Sequence, residues 1–460
     1  MKIPVPDEIL PADQLGHVHL VGIGGAGLSG IARLMHASGV VVSGSDANDS
    51  PVVRALREEG ITVHVGHDAA HLDGVDTVVA TTAAREDNPE IAEATRRGLR
   101  LWPRSAGLQS VLIGKRVVAV AGTHGKTTTT AMLTVALQEA GLDPTFAIGA
   151  EVASLGTNAR LGSGDVAVVE ADESDGAFLV YTPDLAAITN VDADHLDHWG
   201  TEEAYEAAFA EFARRARVTV TERADLADVT AAFADGAQVR GHDLVVEGGR
   251  TRFRVEARGV DLGEVELAVP GRHYAVDALL ALAVGLELGA DPAALVRGLA
   301  RHQGAKRRME LVGTVGAADR AIRVYDSYAH HPSEIRGDLE AARSLVGPGG
   351  RLVVCFQPHL VSRTRIFGTQ MGHELGAADE VVLMDVYVAR EDSDPEVTGA
   401  LVAGAVPLPA ERVRFVPDRA DVVPTLAGLA RPGDLVLTLG AGDVTALAPE
   451  LVALLGGSGA

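Results

Sequence analysis

The stretch Val117-Val118-Ala119-Val120-Ala121-Gly122-Thr123-His124-Gly125-Lys126-Thr127-Thr128 runs from unbroken apolar residues into a turn bracketed by glycines. An apolar run without polar alternation marks a strand buried on both faces, hence a parallel sheet. The amides of the turn and of the helix that follows converge on one spot, and the helix dipole favours an anion there. Lysine at this place supplies a mobile charge for β- and γ-phosphate oxygens, and the neighbouring threonine hydroxyl suits Mg²⁺. The usual pattern has its first glycine where this chain has Val120, so residues 122–128 read as a shortened P-loop. An ordinary βα turn that contains Gly-Lys-Thr is the competing reading. Strand, turn and helix all fall where the motif needs them, which weighs against it. Lysine occurs only at Lys2, Lys115, Lys126 and Lys306, so no other ammonium lies between 127 and 305.

A magnesium nucleotide needs hard oxygen ligands beside such a loop. The apolar strand Val166–Val169 ends in Glu170-Ala171-Asp172-Glu173-Ser174-Asp175. Four acids there are costly unless a cation or basic groups neutralise them. A solvated acidic loop is the bland alternative; beside a P-loop, Glu170 as an Mg²⁺ ligand is the better one. The next apolar run, Leu185–Thr189, ends in Asn190-Val191-Asp192-Ala193-Asp194-His195-Leu196-Asp197-His198. A zinc site would use Asp and His, but no cysteine is near and the spacing is not a zinc pattern. Three strands thus bring Lys126, Glu170 and His195 to one carboxyl edge of a parallel sheet, where ligands bind.

Two more strand–turn–helix units flank this one. His17–Val21 leads into Gly22-Ile23-Gly24-Gly25-Ala26-Gly27, with helix periodicity over Leu28–Ser38, and Asp46 ends the next strand. Gly-x-Gly-x-x-Gly followed by an acid places a diphosphate on a helix N-terminus; NAD and a UDP-sugar both fit. Ala321–Tyr325 leads into Asp326-Ser327-Tyr328-Ala329-His330-His331-Pro332, with a helix over Ser333–Leu345. Asp326, Tyr328, His330, His331, Gln357, His359, Arg363 and Arg365 all follow expected strands there, an arrangement that faces a ligand more readily than it fills a core. Further buried strands are expected at Leu352–Phe356, Glu380–Met384 and Leu435–Leu439, and a helix at Thr128–Ala140. Short alternating runs over Val218–Val269, with Gly248-Gly249 as a turn, read as an antiparallel β insertion.

The chain has 460 residues, about three domains' worth. The expected division is 1–113, 114–308 and 309–460. Its charge of −23 argues against nucleic-acid partners, which need a basic face. The single Cys355 rules out an intrachain disulfide framework and fits a reducing compartment. No apolar run reaches the ~18–20 residues of a membrane span, and MKIPVPDEIL has no signal-like apolar core, so a cytoplasmic protein without membrane insertion is expected.

Read together, GIGGAGLSG (22–30), GTHGKTTTT (122–130), EADESD (170–175), TNVDADHLD (189–197), GRH (271–273), RRME (307–310), DSYAHHPSE (326–334), FQPH (356–359), SRTR (362–365) and GAGD (440–443) resemble the Mur ligases, along essentially the whole chain. The resemblance implies an α/β, three-domain Mur ligase architecture. It has a Rossmann-like N-terminal domain for the UDP-sugar, a P-loop central ATPase domain with a β insertion, and a Rossmann-like C-terminal domain for the amino acid. It turns the first glycine motif toward the UDP-sugar, with Gly24, Gly25, Ala26, Gly27, Ser29 and Asp46 on that side. ATP would meet Gly122, Thr123, His124, Gly125, Lys126, Thr127, Thr128, His273 and Asp277. Mg²⁺ would be held by Thr127, Glu170 and His195. Catalysis would use Lys126, Glu170, His195, Arg308 and Asp326, and Tyr328, His330 and Arg363 would hold the amino acid or the intermediate.

The implied reaction joins L-alanine to the lactyl carboxylate of UDP-N-acetylmuramate through an acyl phosphate, at the expense of ATP, an early step of peptidoglycan synthesis. A recycling ligase that adds a tripeptide to the same sugar nucleotide is the near alternative. An NAD-dependent oxidoreductase and a non-enzymatic UDP-sugar binder are distant ones, and both leave residues 122–128 unexplained. The chain departs from the family at Tyr274 and Asp277, where asparagines are usual, and at Ser327, where a second aspartate is usual. With no lysine after Lys126 in the central domain, the carbamylated lysine of several relatives has no counterpart there.

Overall fold

In the computed structural model, residues 3–81, 84, 87–317, 320–389 and 391–457 are described; Lys2 and the side chain of Asp197 lie outside them. The chain forms two compact units. One comprises Met1–Gly241, Val255–Gly263 and Asp277–His302, the other His242–Arg254, Glu264–Val276 and Gln303–Ala460.

The first unit holds an all-parallel sheet in the order Thr62–Val65, Val42–Asp46, Val18–Val21, Thr77–Ala80, Arg100–Pro103. The middle strand carries the glycine turn, and the helix Ala26–Ala37 starts directly after it. A buried polar knot lies in this sheet. Glu90, at the start of the helix Pro89–Arg97, accepts from Ser45 Oγ at 2.5 Å and meets His71 Nδ1 at 2.7 Å and His67 Nδ1 at 2.9 Å. Burial works to raise its pKa, but His19 at 3.5 Å and the hydrogen bonds with Ser45 and His71 prevail and bring it down to about 2.

The same unit holds a second run of strands, in the order Val229–Ala232, Val218–Thr221, Leu185–Ile188, Arg116–Ala121, Val166–Glu170, Thr145–Val152, Thr157–Arg160. Only the last of these is antiparallel to its neighbour. Arg116–Ala121 therefore lies between Val166–Glu170 and Leu185–Ile188, and their three carboxyl ends emerge side by side. The helix Lys126–Glu139 begins two residues earlier than its periodicity predicts.

Val218–Thr221 and Val229–Ala232 do not belong to an antiparallel insertion but extend the parallel run. The turn-linked strands begin only with Val239–Glu247, Arg250–Ala257 and Val260–Leu267. Gly248 and Gly249, with φ of +60° and +78°, form the tight turn expected between the first two.

The second unit is built on the order Glu310–Val315, Ile322–Ser327, Leu435–Leu439, Leu352–Phe356, Glu380–Leu383, Val413–Phe415. Only the first of these is antiparallel to its neighbour. The helix Pro332–Leu345 starts on a capping box, with His331 and Glu334 each satisfying the other's backbone and Pro332 in its first turn. Among the described residues no helix is long and apolar enough to cross a membrane.

Candidate active site

The loop after Arg116–Ala121 is clamped by the loop after Leu185–Ile188. Asn190 Oδ1 accepts from His124 N at 2.9 Å, and Asn190 Nδ2 donates to His124 O at 3.0 Å. Thr123 Oγ1 donates to Asp192 O at 2.8 Å and lies 2.9 Å from the Tyr205 hydroxyl. Gly122 has φ of +136°, and a Cβ there would stand 1.9 Å from Thr189 Oγ1. At Gly125, with φ of +78°, a Cβ would stand 2.4 Å from Asp277 Oδ1. Glycine is thus required at both positions by conformation and by space.

Lys126 Nζ donates to Gly122 O at 2.7 Å and Thr123 O at 3.0 Å, and lies 2.8 Å from Glu173 Oε2. Burial opposes its charge, but Glu173, Asp172 and Glu170 hold the ammonium above its ordinary pKa. Thr127 Oγ1 donates to both Glu170 oxygens, at 3.1 and 3.0 Å, and Gly149 N donates to Glu170 Oε2 at 2.7 Å. A hydroxyl and a carboxylate at one point of the P-loop form the all-oxygen donor set that suits Mg²⁺. His195 Nε2 lies 3.7 Å from Glu173 Oε1 and 3.6 Å from Asp194 Oδ2. The first unit thus gathers Lys126, Thr127, Glu170, His195 and Asp277, with Thr128 in the first turn of the helix.

In the N-terminal sheet, Gly24 N donates to Asp46 Oδ2 at 3.0 Å. The main chain of Gly22 and Ile23 bonds to Ser45 O. Asn158 Nδ2 donates to Ala26 O at 2.9 Å and lies 3.3 Å from Ser29 Oγ, so the strand Thr157–Arg160 fixes the start of the helix Ala26–Ala37. Gly25, which has no side chain to cap with, stands at the N-cap of that helix. A Cβ at Gly27 would lie 3.3 Å from an Arg104 guanidinium nitrogen. Arg104 also pairs with Asp172 and, at 3.6 Å, with Asp175. Sequence reasoning missed Arg104, Asn190 and Glu173. The last two stand in motifs quoted for other residues.

The second unit gathers its own set. Asp326 is 2% exposed, accepts from Thr438 Oγ1 at 2.6 Å and Thr445 Oγ1 at 2.7 Å, and has Arg307 Nε at 3.4 Å. Arg307 and Arg308 lie over the Tyr328 ring, at 4.8 and 5.4 Å from its centroid. Arg308 is 3.5 Å from Glu334, whose Oε2 accepts from His330 N at 3.0 Å. Arg363 is buried and approaches His359 Nδ1 at 3.4 Å. His273 Nε2 is 3.7 Å from Asp338 Oδ1, and Ser327 donates to Asp338 Oδ2. Burial, with Arg308 adding to it, lowers His273 to about 4; burial lifts Asp338 to about 7 against the Ser327 bond. His273 falls in this second unit and Asp277 in the first.

Three family models cover the chain in order. These are "Mur ligase family, catalytic domain" over 17–116, "Mur ligase middle domain" over 120–285 and "Mur ligase, glutamate ligase domain" over 307–442. A curated relative from Nocardioides sp., named UDP-N-acetylmuramate–L-alanine ligase, is 62% identical over 99% of this chain and 100% of its own length. One of the same name from Thermobifida fusca is 46% identical over 99% and 100%. The solved UDP-N-acetylmuramate–alanine ligase of Thermotoga maritima superposes with a TM-score of 0.82 at 30% identity, covering 96% of this chain and 99% of that one. A murein peptide ligase from Psychrobacter arcticus gives 0.72 at 26%, covering 96% and 99%. With its three family segments in order and its P-loop edge intact, the chain belongs to the Mur ligase family of ATP-dependent, amide-forming enzymes.

Proposed function

We propose that the protein joins L-alanine to the lactyl carboxylate of UDP-N-acetylmuramate, with ATP as the energy source, in the cytoplasm. The observation that carries this reading is the 62% identity, end to end, with a relative named for that reaction. In it, residues 1–113 hold the UDP-sugar, 114–308 hold ATP and 309–460 hold the amino acid. The order of the family segments supports this division.

The lactyl carboxylate attacks the γ-phosphate of ATP, giving an acyl phosphate and ADP. The neutral amine of alanine then attacks the acyl carbon and phosphate leaves. Phosphoryl transfer needs alignment and charge neutralisation more than covalent help. Lys126 meets the β- and γ-phosphate oxygens, with residues 122–128 supplying main-chain amides and His273 and Asp277 on the nucleotide side. Thr127 and Glu170 would hold Mg²⁺, which would neutralise phosphate charge there; His195, 3.7 Å from Glu173, is the remaining metal candidate. Arg308 balances charge on the transferred group, and Asp326, Tyr328, His330 and Arg363 position the amino acid. Gly24, Gly25, Ala26, Gly27 and Ser29 take the diphosphate at the helix start, with Asp46 bracing the turn.

Phosphate release, measured with UDP-N-acetylmuramate, ATP and each of the twenty amino acids or the tripeptide in turn, tests the proposal. L-Alanine giving the highest kcat/KM is the expected result. Release with the tripeptide but not with alanine would overturn it.

A further inference from the structure

Lys126 Nζ donates to Gly122 O and Thr123 O and forms an ion pair with Glu173 Oε2 at 2.8 Å. A phosphate that takes this lysine draws it from these three partners. Two of these partners are neutral carbonyls of the lysine's own loop; the third is the Glu173 carboxyl, 1% exposed, whose ionised form burial disfavours and the lysine's charge favours. The main chain of Glu173 is held in place, because its carbonyl accepts from Trp199 Nε1 at 3.1 Å and Gly176 N at 3.2 Å.

The other acids of residues 170–175 have different partners. Glu170 takes Thr127 and Gly149 N, and Arg104 takes Asp172 and Asp175. Glu173 is the one that forms an ion pair with the lysine. A buried ammonium without a counter-charge is costly, so an empty phosphate site needs a substitute anion. The same carboxylate then competes with the nucleotide.

We propose that Glu173 is a positioning residue that sequesters Lys126 in the nucleotide-free enzyme and surrenders it to the phosphate, thereby weakening nucleotide binding and speeding product release. The proposal rests on the reading of Lys126 as a phosphate ligand and adds the residue that governs its availability.

The test is a double-mutant cycle on the full chain, with the Kd of ADP in the presence of Mg²⁺ measured by calorimetry. The variants are Glu173→Gln, Lys126→Ala and the pair. The Gln variant removes charge at nearly constant volume. It is expected to bind ADP about tenfold tighter, the size of one hydrogen bond to a charged group. Its kcat is expected to fall as ADP release slows, with KM for ATP falling too. In the Lys126→Ala background the same change is expected to shift Kd by less than about twofold, as uncoupled sites do.

An unchanged or weakened Kd in Glu173→Gln overturns the proposal. Equal tightening with and without the lysine overturns it as well, because the effect would then be plain repulsion of phosphate. Lys126→Ala binding ADP as the unmodified protein does would instead refute the phosphate-ligand reading itself. Should Glu173→Gln fail to fold, Glu173→Asp shortens the reach to Lys126, and tightening of about threefold is expected of it; no tightening overturns the proposal.

Discussion

Lys126 is the residue on which the proposed chemistry converges, and two of its three close partners are main-chain carbonyls. Gly122 O, Thr123 O and the amides of its helix are present whatever side chains surround them. Lys126→Ala is expected to lower ADP formation at least about 10³-fold with the far-UV circular dichroism unchanged, since charge neutralisation carries much of phosphoryl transfer. The abandoned Glu173 carboxyl would take up a proton rather than stay ionised in a buried site. Glu170→Ala leaves Thr127 as the remaining oxygen donor of the pair. It is expected to raise the Mg²⁺ concentration for half-maximal activity about tenfold, in an activity titration against free Mg²⁺.

His302 sets a different residue-scale expectation. It is 1% exposed, neither ring nitrogen has a hydrogen-bond partner among the described residues, and burial lowers it to about 4. A histidine depressed in the fold stays neutral while the unfolded chain takes up a proton below about 6.5. Stability is therefore lost as pH falls from about 6.5 to about 4 and levels off below, by about 3 kcal/mol in all. Chemical denaturation of the protein and of His302→Phe across that range checks it. The variant should lose that portion of the pH dependence.

At the scale of elements, the glycine turn is the vulnerable part. Gly122→Ala would force a side chain into Thr189 Oγ1 at a φ of +136°. The expected cost is about 3 kcal/mol, read as a lower denaturation midpoint with unchanged slope. The strands that carry the site were legible because parallel strands buried on both faces leave unbroken apolar runs. Arg116–Ala121, Val166–Glu170, Leu352–Phe356 and Leu435–Leu439 all show it. Val218–Thr221 was misread for a physical reason. Its sequence Val-Thr-Val-Thr looks half solvated, yet Thr219 and Thr221 are as buried as Val220. A threonine whose hydroxyl finds a carbonyl, as that of Thr219 does at Ala213 O, tolerates the interior, and periodicity does not report the bond. The acids of residues 170–175 were visible as a group, but their division was not. Which of them faces a lysine and which an arginine 68 residues away is decided by loop geometry and not by spacing.

At the scale of the whole molecule, three family models match the chain in one order, while the fold groups it into two compact units. The first glycine motif fits NAD as well as a UDP-sugar on sequence grounds, and only the rest of the chain separates them. Fluorescence titration with UDP-N-acetylmuramate is expected to saturate, and titration with NADH to give no saturable change; the reverse pattern would return the protein to the oxidoreductase reading.

The claim on which the rest depends is that nucleotide binding draws the Lys126 ammonium away from its own loop. A crystal structure with Mg²⁺ and a non-hydrolysable ATP analogue tests this most directly. The account predicts the β- and γ-phosphate oxygens within hydrogen-bond distance of Lys126 Nζ, with Nζ off Glu173 Oε2. An analogue bound elsewhere, with Lys126 still held by Gly122, Thr123 and Glu173, would contradict it.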